Sequence, residues 1–162
     1  MAKKEKNVEL CCSKFDPKTY DEKEISWKGK LFVEDDVKAL MHIPINMGSV
    51  ITRMSNQIDD AGATVPTEDH LMLSSEESPW KSEQFIAVAS EVKGMKNVKI
   101  SGEYLTKVFE GNYKEAKNWY REMQNYVKGK GKEIKKLYFY YTTCPKCAKE
   151  YGKNYVVLFA QV

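Results

Sequence analysis

Long apolar runs are missing from this 162-residue sequence. A membrane-spanning helix needs about 20 consecutive apolar residues, and no run here approaches that length. The charged residues at the start of the chain, 1–6, are followed by no apolar core of the kind that a secretory signal peptide contains. We therefore expect a cytoplasmic protein with no membrane partner.

A strong excess of one charge sign is also absent, and histidine is scarce. The formal net charge is +3, from 26 basic and 23 acidic residues. A dedicated nucleic-acid binder usually shows a concentrated basic face, so we expect no nucleic-acid partner. The only two histidines, His42 and His70, lack the spacing of a metal-binding pair.

Only four cysteines are present, namely Cys11, Cys12, Cys144 and Cys147. In a reducing compartment such cysteines are free thiols or metal ligands rather than structural disulfides. A Cys-Pro-Lys-Cys turn can present two thiolates to one metal, and four thiolates would complete a structural zinc site. Zinc is the one cofactor that the sequence suggests. Unpaired thiols and a redox pair are the open alternatives.

The sequence contains an internal repeat. Leu71, Leu73 and Pro79 recur 66 residues later as Leu137, Phe139 and Pro145. Each copy then enters a second apolar run, at 85–88 and at 155–158. The second run is offset by 70 residues, so the later loop is four residues longer. The extra length coincides with Cys144 and Cys147.

Both copies show the same order of elements. In the first, a strand with period-two alternation ends near Pro44, Asn46 begins a helix over 46–61, and two strands follow at 71–75 and 84–92. In the second, a strand over 98–109 is followed by a helix over 113–128 and strands at 135–143 and 154–161.

This pattern predicts an α+β fold built from two strand-helix-strand-strand repeats, 36–92 and 98–161. We expect a curved antiparallel sheet with both helices on one face and pseudo-twofold symmetry. Residues 1–35 are predicted to form an N-terminal arm and a short hairpin, and 36–162 a single domain.

The second copy carries a family resemblance. Gly111, Tyr113 and Trp119 lie at the spacing of a Gly-x-Tyr, five-residue, Trp pattern, and with the order of elements they resemble the gyrase-inhibitor-like (GyrI-like) small-molecule-binding domain. The stretch over 144–162 is also similar to uncharacterised microbial proteins that are often named hydrolases.

The GyrI-like resemblance implies an aromatic cleft between the two halves that binds planar, apolar or cationic molecules. The residues assigned to that cleft are Tyr104, Phe109, Tyr113, Trp119, Tyr138 and Tyr140. Some relatives hydrolyse strained small molecules with an acid and a tyrosine, which makes Glu110, Tyr138 and Tyr140 the catalytic candidates. The family's acid lies in the connection before the last strand, where this sequence has its cysteine loop instead.

Side-chain alternation on the strand over 135–143 leaves one question open. Either Tyr138 and Tyr140 or Phe139 and Tyr141 face the helices, and the other pair lines an open face that would form the wall of the cleft. Our first functional hypothesis is a stand-alone, monomeric protein that binds a small molecule. The alternatives are a cofactor-free hydrolase that uses tyrosine and glutamate, and a cysteine-centred zinc or redox protein.

Overall fold

The structure is a computed structural model that describes residues 15–41, 43–66, 69–76, 78–142 and 152–162. Seven strands and two long helices lie in these ranges. Their bounds are β1 Lys23–Leu40, β2 Ile43–Pro44, α1 Met47–Asp60, β3 Met72–Ser75, β4 Lys81–Ala87, β5 Lys96–Glu110, α2 Ala116–Gly129, β6 Lys136–Tyr141 and β7 Tyr155–Gln161. One-turn helices lie at Pro17–Thr19 and Tyr113–Glu115. Neither long helix in these ranges has the length and apolarity needed to cross a membrane.

Six of the strands close into an antiparallel barrel. The strand order is β1-β4-β3-β6-β7-β5, and β5 pairs again with β1. The predicted curved sheet with two helices on one face is therefore wrong. The first and last strands of the ring pair over Lys23–Thr106 to Glu34–Lys96, which leaves no open edge between them.

The length of β1 explains the closure. It has 18 residues, pairing with β5 along its first part and with β4 along its second part. The short hairpin predicted within residues 1–35 is therefore wrong, because Ile25, Trp27 and Leu31, which were expected to flank its turn, lie in this one strand. A bulge between Trp27 and Lys30 lets the strand bend, with Gly29 at a φ of 66° that few other residues adopt easily.

The two halves have equivalent strand orders, as the repeat predicts. The first half contributes β1-β4-β3 and the second β5-β7-β6. The halves join twice, through β1 and β5 and through β3 and β6. We call the second junction the β3–β6 seam.

Alternation along the strands produces one interior core and two outer cores. The interior holds the side chains of Phe32, Leu71, Leu73, Phe85, Ala87, Tyr104, Tyr138, Val157 and Phe159. Helix α1 covers the outside of β1 and β4 with Val50, Met54 and Ile58, spaced at four residues along one helical face. Helix α2 covers β5 and β7 in the same way. The helices thus lie on the outside of the barrel wall, at two separate places.

Candidate functional site

Three of the predicted cleft residues, Tyr104, Tyr138 and Tyr140, belong to the barrel interior. Their rings contact other rings. The Tyr104 ring centroid lies 4.6 Å from that of Trp27 and 6.3 Å from that of Tyr138, and Tyr140 lies 6.5 Å from Phe159. Tyr104 and Phe159 are almost completely buried. This geometry shows Tyr104 and Tyr138 packed in the interior, and their ligand-binding role stays a prediction.

Burial raises the pKa of Tyr104 to about 12, and the neighbouring Tyr138 adds to the effect. A phenol with such a pKa stays protonated at neutral pH. The interior is thus a set of neutral rings.

One end of the interior is closed by the segment before β1. The rings of Phe15 and Tyr20 each lie about 6 Å from Tyr140, edge to face. The Thr106 hydroxyl donates to the Tyr20 carbonyl at 2.5 Å. Burial, followed by the charge of Asp69, raises the pKa of Tyr20. Residues 15–22, part of the predicted arm, are thereby attached to the barrel.

The other predicted site residues lie elsewhere. Phe109 and Trp119 stack at 6.0 Å in the outer core beneath α2. Glu110 is exposed at the end of β5, and Tyr113 begins a one-turn helix. The structure therefore divides the predicted cleft between two cores. Cys11, Cys12, Cys144 and Cys147 lie outside the described residues, so the zinc hypothesis stays a prediction.

A polar site lies on the outer face of the β3–β6 seam. Tyr141 and Phe139, the alternate pair on β6, are half-buried there with their rings stacked at 6.2 Å. The Tyr141 phenol donates to Glu76 Oε1 at 2.8 Å. Glu76 belongs to the first half of the repeat and Tyr141 to the second, so the pair bridges the two halves.

A chain of buried polar side chains holds Glu76 from below. Ser74 donates to the same Glu76 oxygen at 3.3 Å. The Gln84 amide donates to the Ser74 hydroxyl oxygen at 2.8 Å and to that of Ser82 at 3.1 Å. The Ser74 hydroxyl oxygen accepts a hydrogen bond from the Gln84 amide. The proton of the same Ser74 hydroxyl is therefore directed at Glu76. Ser74, Ser82 and Gln84 are all buried, so this orientation is protected from water.

A small cavity opens beside Glu76. It is lined by Ala39, Pro44, Met47, Glu76, Ser78 and Ser82, and its volume of about 10 Å³ suits one water molecule. We call the surface formed by Phe139, Tyr141, Glu76 and this cavity the seam groove. It combines a carboxylate, a phenol, ring faces and space for water.

The opposite face of the wall carries a second group of acids, at the barrel end. Oxygens of Glu34, Asp36 and Glu83 lie within 4.8 Å of one another. Lysines surround them: Lys96 lies 3.1 Å from Glu34, Lys81 lies 3.7 Å from Asp36, and Lys136 lies 3.9 Å from Glu83. Each of the three carboxylates is thus paired with a lysine ammonium group, and the six side chains form an ion-pair network.

Sequence reasoning missed Glu76 because it lies in a polar run, 74–78, with no aromatic neighbour. The repeat contained a signal nonetheless. The acid implied by the GyrI-like resemblance lies in the connection before the last strand of the second half. Glu76 lies in the equivalent connection of the first half, before β4. Applying the pattern of this resemblance to the first half would have pointed to the connection 76–80, whose sequence contains two acids, Glu76 and Glu77.

Comparison with known proteins identifies the family. The sequence matches the family described as Bacterial hydrolase over residues 2–162. The chain belongs to this family. The resemblance of its C-terminal stretch to microbial proteins named hydrolases is thus confirmed, whereas the GyrI-like resemblance stays a prediction.

Solved structures share the fold. An uncharacterised conserved protein from Listeria innocua superposes with a TM-score of 0.62 at 14% identity, covering 86% of this chain and 91% of that one. A hydrolase from Listeria innocua gives 0.60 at 14% identity, covering 87% and 91%. No curated protein matches the sequence at a significant level.

Proposed function

We propose that this protein hydrolyses a small molecule in the seam groove, with Glu76 and Tyr141 as the acid–base pair. The observation that carries the proposal is the 2.8 Å hydrogen bond from the Tyr141 phenol to the Glu76 carboxylate, across the junction of the two halves. Membership of the Bacterial hydrolase family and a structural neighbour named as a hydrolase support the same reaction class.

The roles follow from the chemistry of the two groups. Glu76 accepts a proton from a water molecule, whose oxygen forms a bond to the electrophilic carbon of the substrate. Tyr141 donates its phenolic proton to the leaving oxygen as the bond between carbon and that oxygen breaks. The proton on Glu76 then returns to the Tyr141 phenolate along their hydrogen bond, which restores the resting state without a cofactor.

Gln84 and Ser74 act as positioning residues in this scheme. They hold Glu76 in one orientation through hydrogen bonds that lie beneath the groove and touch no substrate. A carboxylate with a fixed orientation loses less entropy when it meets the attacking water. The half-buried rings of Phe139 and Tyr141 favour a substrate with a flat or apolar portion.

The experiment is a hydrolysis screen with purified protein and the Glu76→Gln variant. The substrates are small uncharged esters, lactones and epoxides, all of which release an oxygen leaving group. We expect turnover of at least one class by the wild-type protein, and a loss of about 100-fold or more in Glu76→Gln because the general base is removed. Turnover that is unchanged in Glu76→Gln would refute the assignment of the base.

A second candidate is binding without turnover, favoured by the stacked, half-buried rings beside a carboxylate. Ring faces and a nearby carboxylate both attract planar cations, each ring contact being worth about 0.5–2 kcal/mol. A planar cationic dye bound by the wild-type protein and weakened by both Phe139→Leu and Glu76→Gln, in a protein without hydrolytic activity, would favour this candidate.

A further inference from the structure

An apolar hairpin protrudes beside the seam groove. It consists of the end of β1, the turn and β2, with Trp80 adjacent, since the Ala39 amide donates to the Trp80 carbonyl at 2.8 Å. Among the described residues, six large apolar side chains are strongly exposed, and five belong here: Leu40, Met41, Ile43, Ile45 and Trp80. All five are more than half exposed, and Met41 is the most exposed at 72%. We call these five the apolar hairpin patch.

The patch covers both faces of the hairpin. Leu40 is the Cα partner of Ile43, so these two side chains lie on one face, and Ile45 is on that face as well. Ala39 is the partner of Pro44 and lies opposite Trp80, which places Trp80 on the other face. A surface that docks onto a folded protein needs one apolar face. A hairpin with apolar side chains on both faces and at the tip fits an apolar environment that surrounds it on all sides.

The turn places an apolar side chain at the tip at a conformational cost. Only two residues separate Leu40 from Ile43, and Met41 has a φ of 50°. Tight hairpin turns with positive φ favour Asn or Gly, and a bulky residue there is strained. The strained position of this turn is thus occupied by Met41, whose side chain is exposed.

Pairing with another strand is disfavoured at this hairpin. In β2 the amide of Ile45 donates to the Lys38 carbonyl, so residues 43 and 45 direct their backbone groups inward. Pro44 occupies the position whose backbone faces outward, and proline has no N–H to donate. A second chain could therefore add few backbone hydrogen bonds at this edge.

Although the sequence predicts no membrane partner, the geometry points to a lipid surface as the partner of the apolar hairpin patch. The five side chains expose on the order of 600 Å², which matches the largest apolar patch of an ordinary monomer. They fall short of the about 800 Å² that each partner buries in a stable protein interface, and they are split over two faces. Trp80 near the base suits the headgroup region, where tryptophan is enriched.

Two lysines at the base of the hairpin complement an anionic lipid surface. Lys38 and Lys81 are Cα partners, and both side chains lie at the solvent-exposed root of the hairpin. Lys81 also forms ion pairs with Asp36 and Glu83, so its attraction to anionic lipid headgroups is modest. Insertion of the tip would place the cavity wall formed by Ala39 and Pro44 against the lipid.

The test is co-sedimentation with vesicles of phosphatidylcholine mixed with phosphatidylglycerol, and with phosphatidylcholine alone. We expect the wild-type protein to bind the mixed vesicles. We also expect its tryptophan emission to shift to shorter wavelength, because Trp80, the most exposed of the three tryptophans, leaves water. Met41→Asp and Ile43→Asp should each weaken binding by about tenfold or more, because burying one such side chain contributes that much to an equilibrium constant. Tyr120→Asp is the matched control, since Tyr120 is the sixth exposed apolar side chain and lies on α2.

Three outcomes would overturn the proposal. The first is a wild-type protein that does not bind either vesicle. The second is binding that needs phosphatidylglycerol but survives Met41→Asp and Ile43→Asp, which would locate the contact elsewhere. The third is a dimer, seen by analytical ultracentrifugation, that Met41→Asp dissociates, because the patch would then be an interface between copies. The hydrolase proposal is tested separately, since Glu76→Gln should bind vesicles like the wild type.

Discussion

The two faces of strand β6 place neighbouring aromatic residues in different environments. Tyr138 and Tyr140 point into the barrel and meet other rings, whereas Phe139 and Tyr141 point outward and stay half-buried in the seam groove. The interior pair contributes apolar burial. The outward pair packs against the edge of the outer core beneath α2, and Tyr141 also donates to the Glu76 carboxylate. The comparison teaches that the direction of a side chain, rather than its residue type, decides whether a ring of this strand lies in the interior or on the outer face near the Glu76 carboxylate.

The largest expected effect concerns packing in the interior. Phe159→Ala removes a fully buried ring from the interior, and we expect the free energy of unfolding to fall by about 3–5 kcal/mol. Phe139→Ala, in the half-exposed groove, should cost less than half as much. Urea denaturation of both variants measures the difference. Equal losses would remove the distinction between the two faces.

The stability of the protein at alkaline pH tests the burial of Tyr104 in the interior. Its pKa in the folded protein is about 12, against an ordinary value of 10, so between these values only the unfolded chain releases the proton. Stability should be independent of this group below pH 10 and fall as pH rises toward 12, by up to about 3 kcal/mol in total. Tyr104→Phe removes the group, so the variant should lose less stability over this window. Parallel curves for the two proteins would contradict a buried, neutral phenol.

A smaller effect is expected beneath the groove. Gln84→Leu keeps the side-chain volume but removes the amide that donates to Ser74 and Ser82. We expect a loss of about 1–2 kcal/mol in unfolding free energy, because two buried hydroxyl oxygens lose their donor. If Gln84 positions Glu76 through Ser74, kcat should also fall while KM changes little. A variant with wild-type stability and wild-type kcat would show that the chain of hydrogen bonds does not matter.

The sequence alone predicted the repeat and both helices because those features are local. Helical spacing of Met54 and Ile58, or of Trp119 and Met123, depends on neighbouring residues only. Closure of the barrel depends on pairing between Phe32 and Val98, far apart in sequence. It also depends on a bulge between Trp27 and Lys30, which replaces the predicted hairpin turn with a bend in one continuous strand. No local sequence pattern predicts a pairing between residues so far apart in the chain.

The candidate site was predictable only in part. Alternation on β6 separated Tyr138 and Tyr140 from Phe139 and Tyr141 but did not say which pair was outside. Glu76 accepts its hydrogen bond from a residue of the other half, 65 positions away along the chain. The hydrogen bond between them depends on the β3–β6 pairing, which only the folded chain creates.

The most direct test of the account is a rate comparison between two single-atom variants of the same strand, Tyr141→Phe and Tyr138→Phe. Each removes one hydroxyl and keeps the ring, and thermal melting confirms that both are folded. On a substrate that the wild-type protein hydrolyses, we predict that Tyr141→Phe loses about 100-fold or more in kcat, since the proton donor is gone. Tyr138→Phe should keep most of the wild-type rate. An unchanged rate in Tyr141→Phe together with a large loss in Tyr138→Phe would move the chemistry into the barrel and contradict the account.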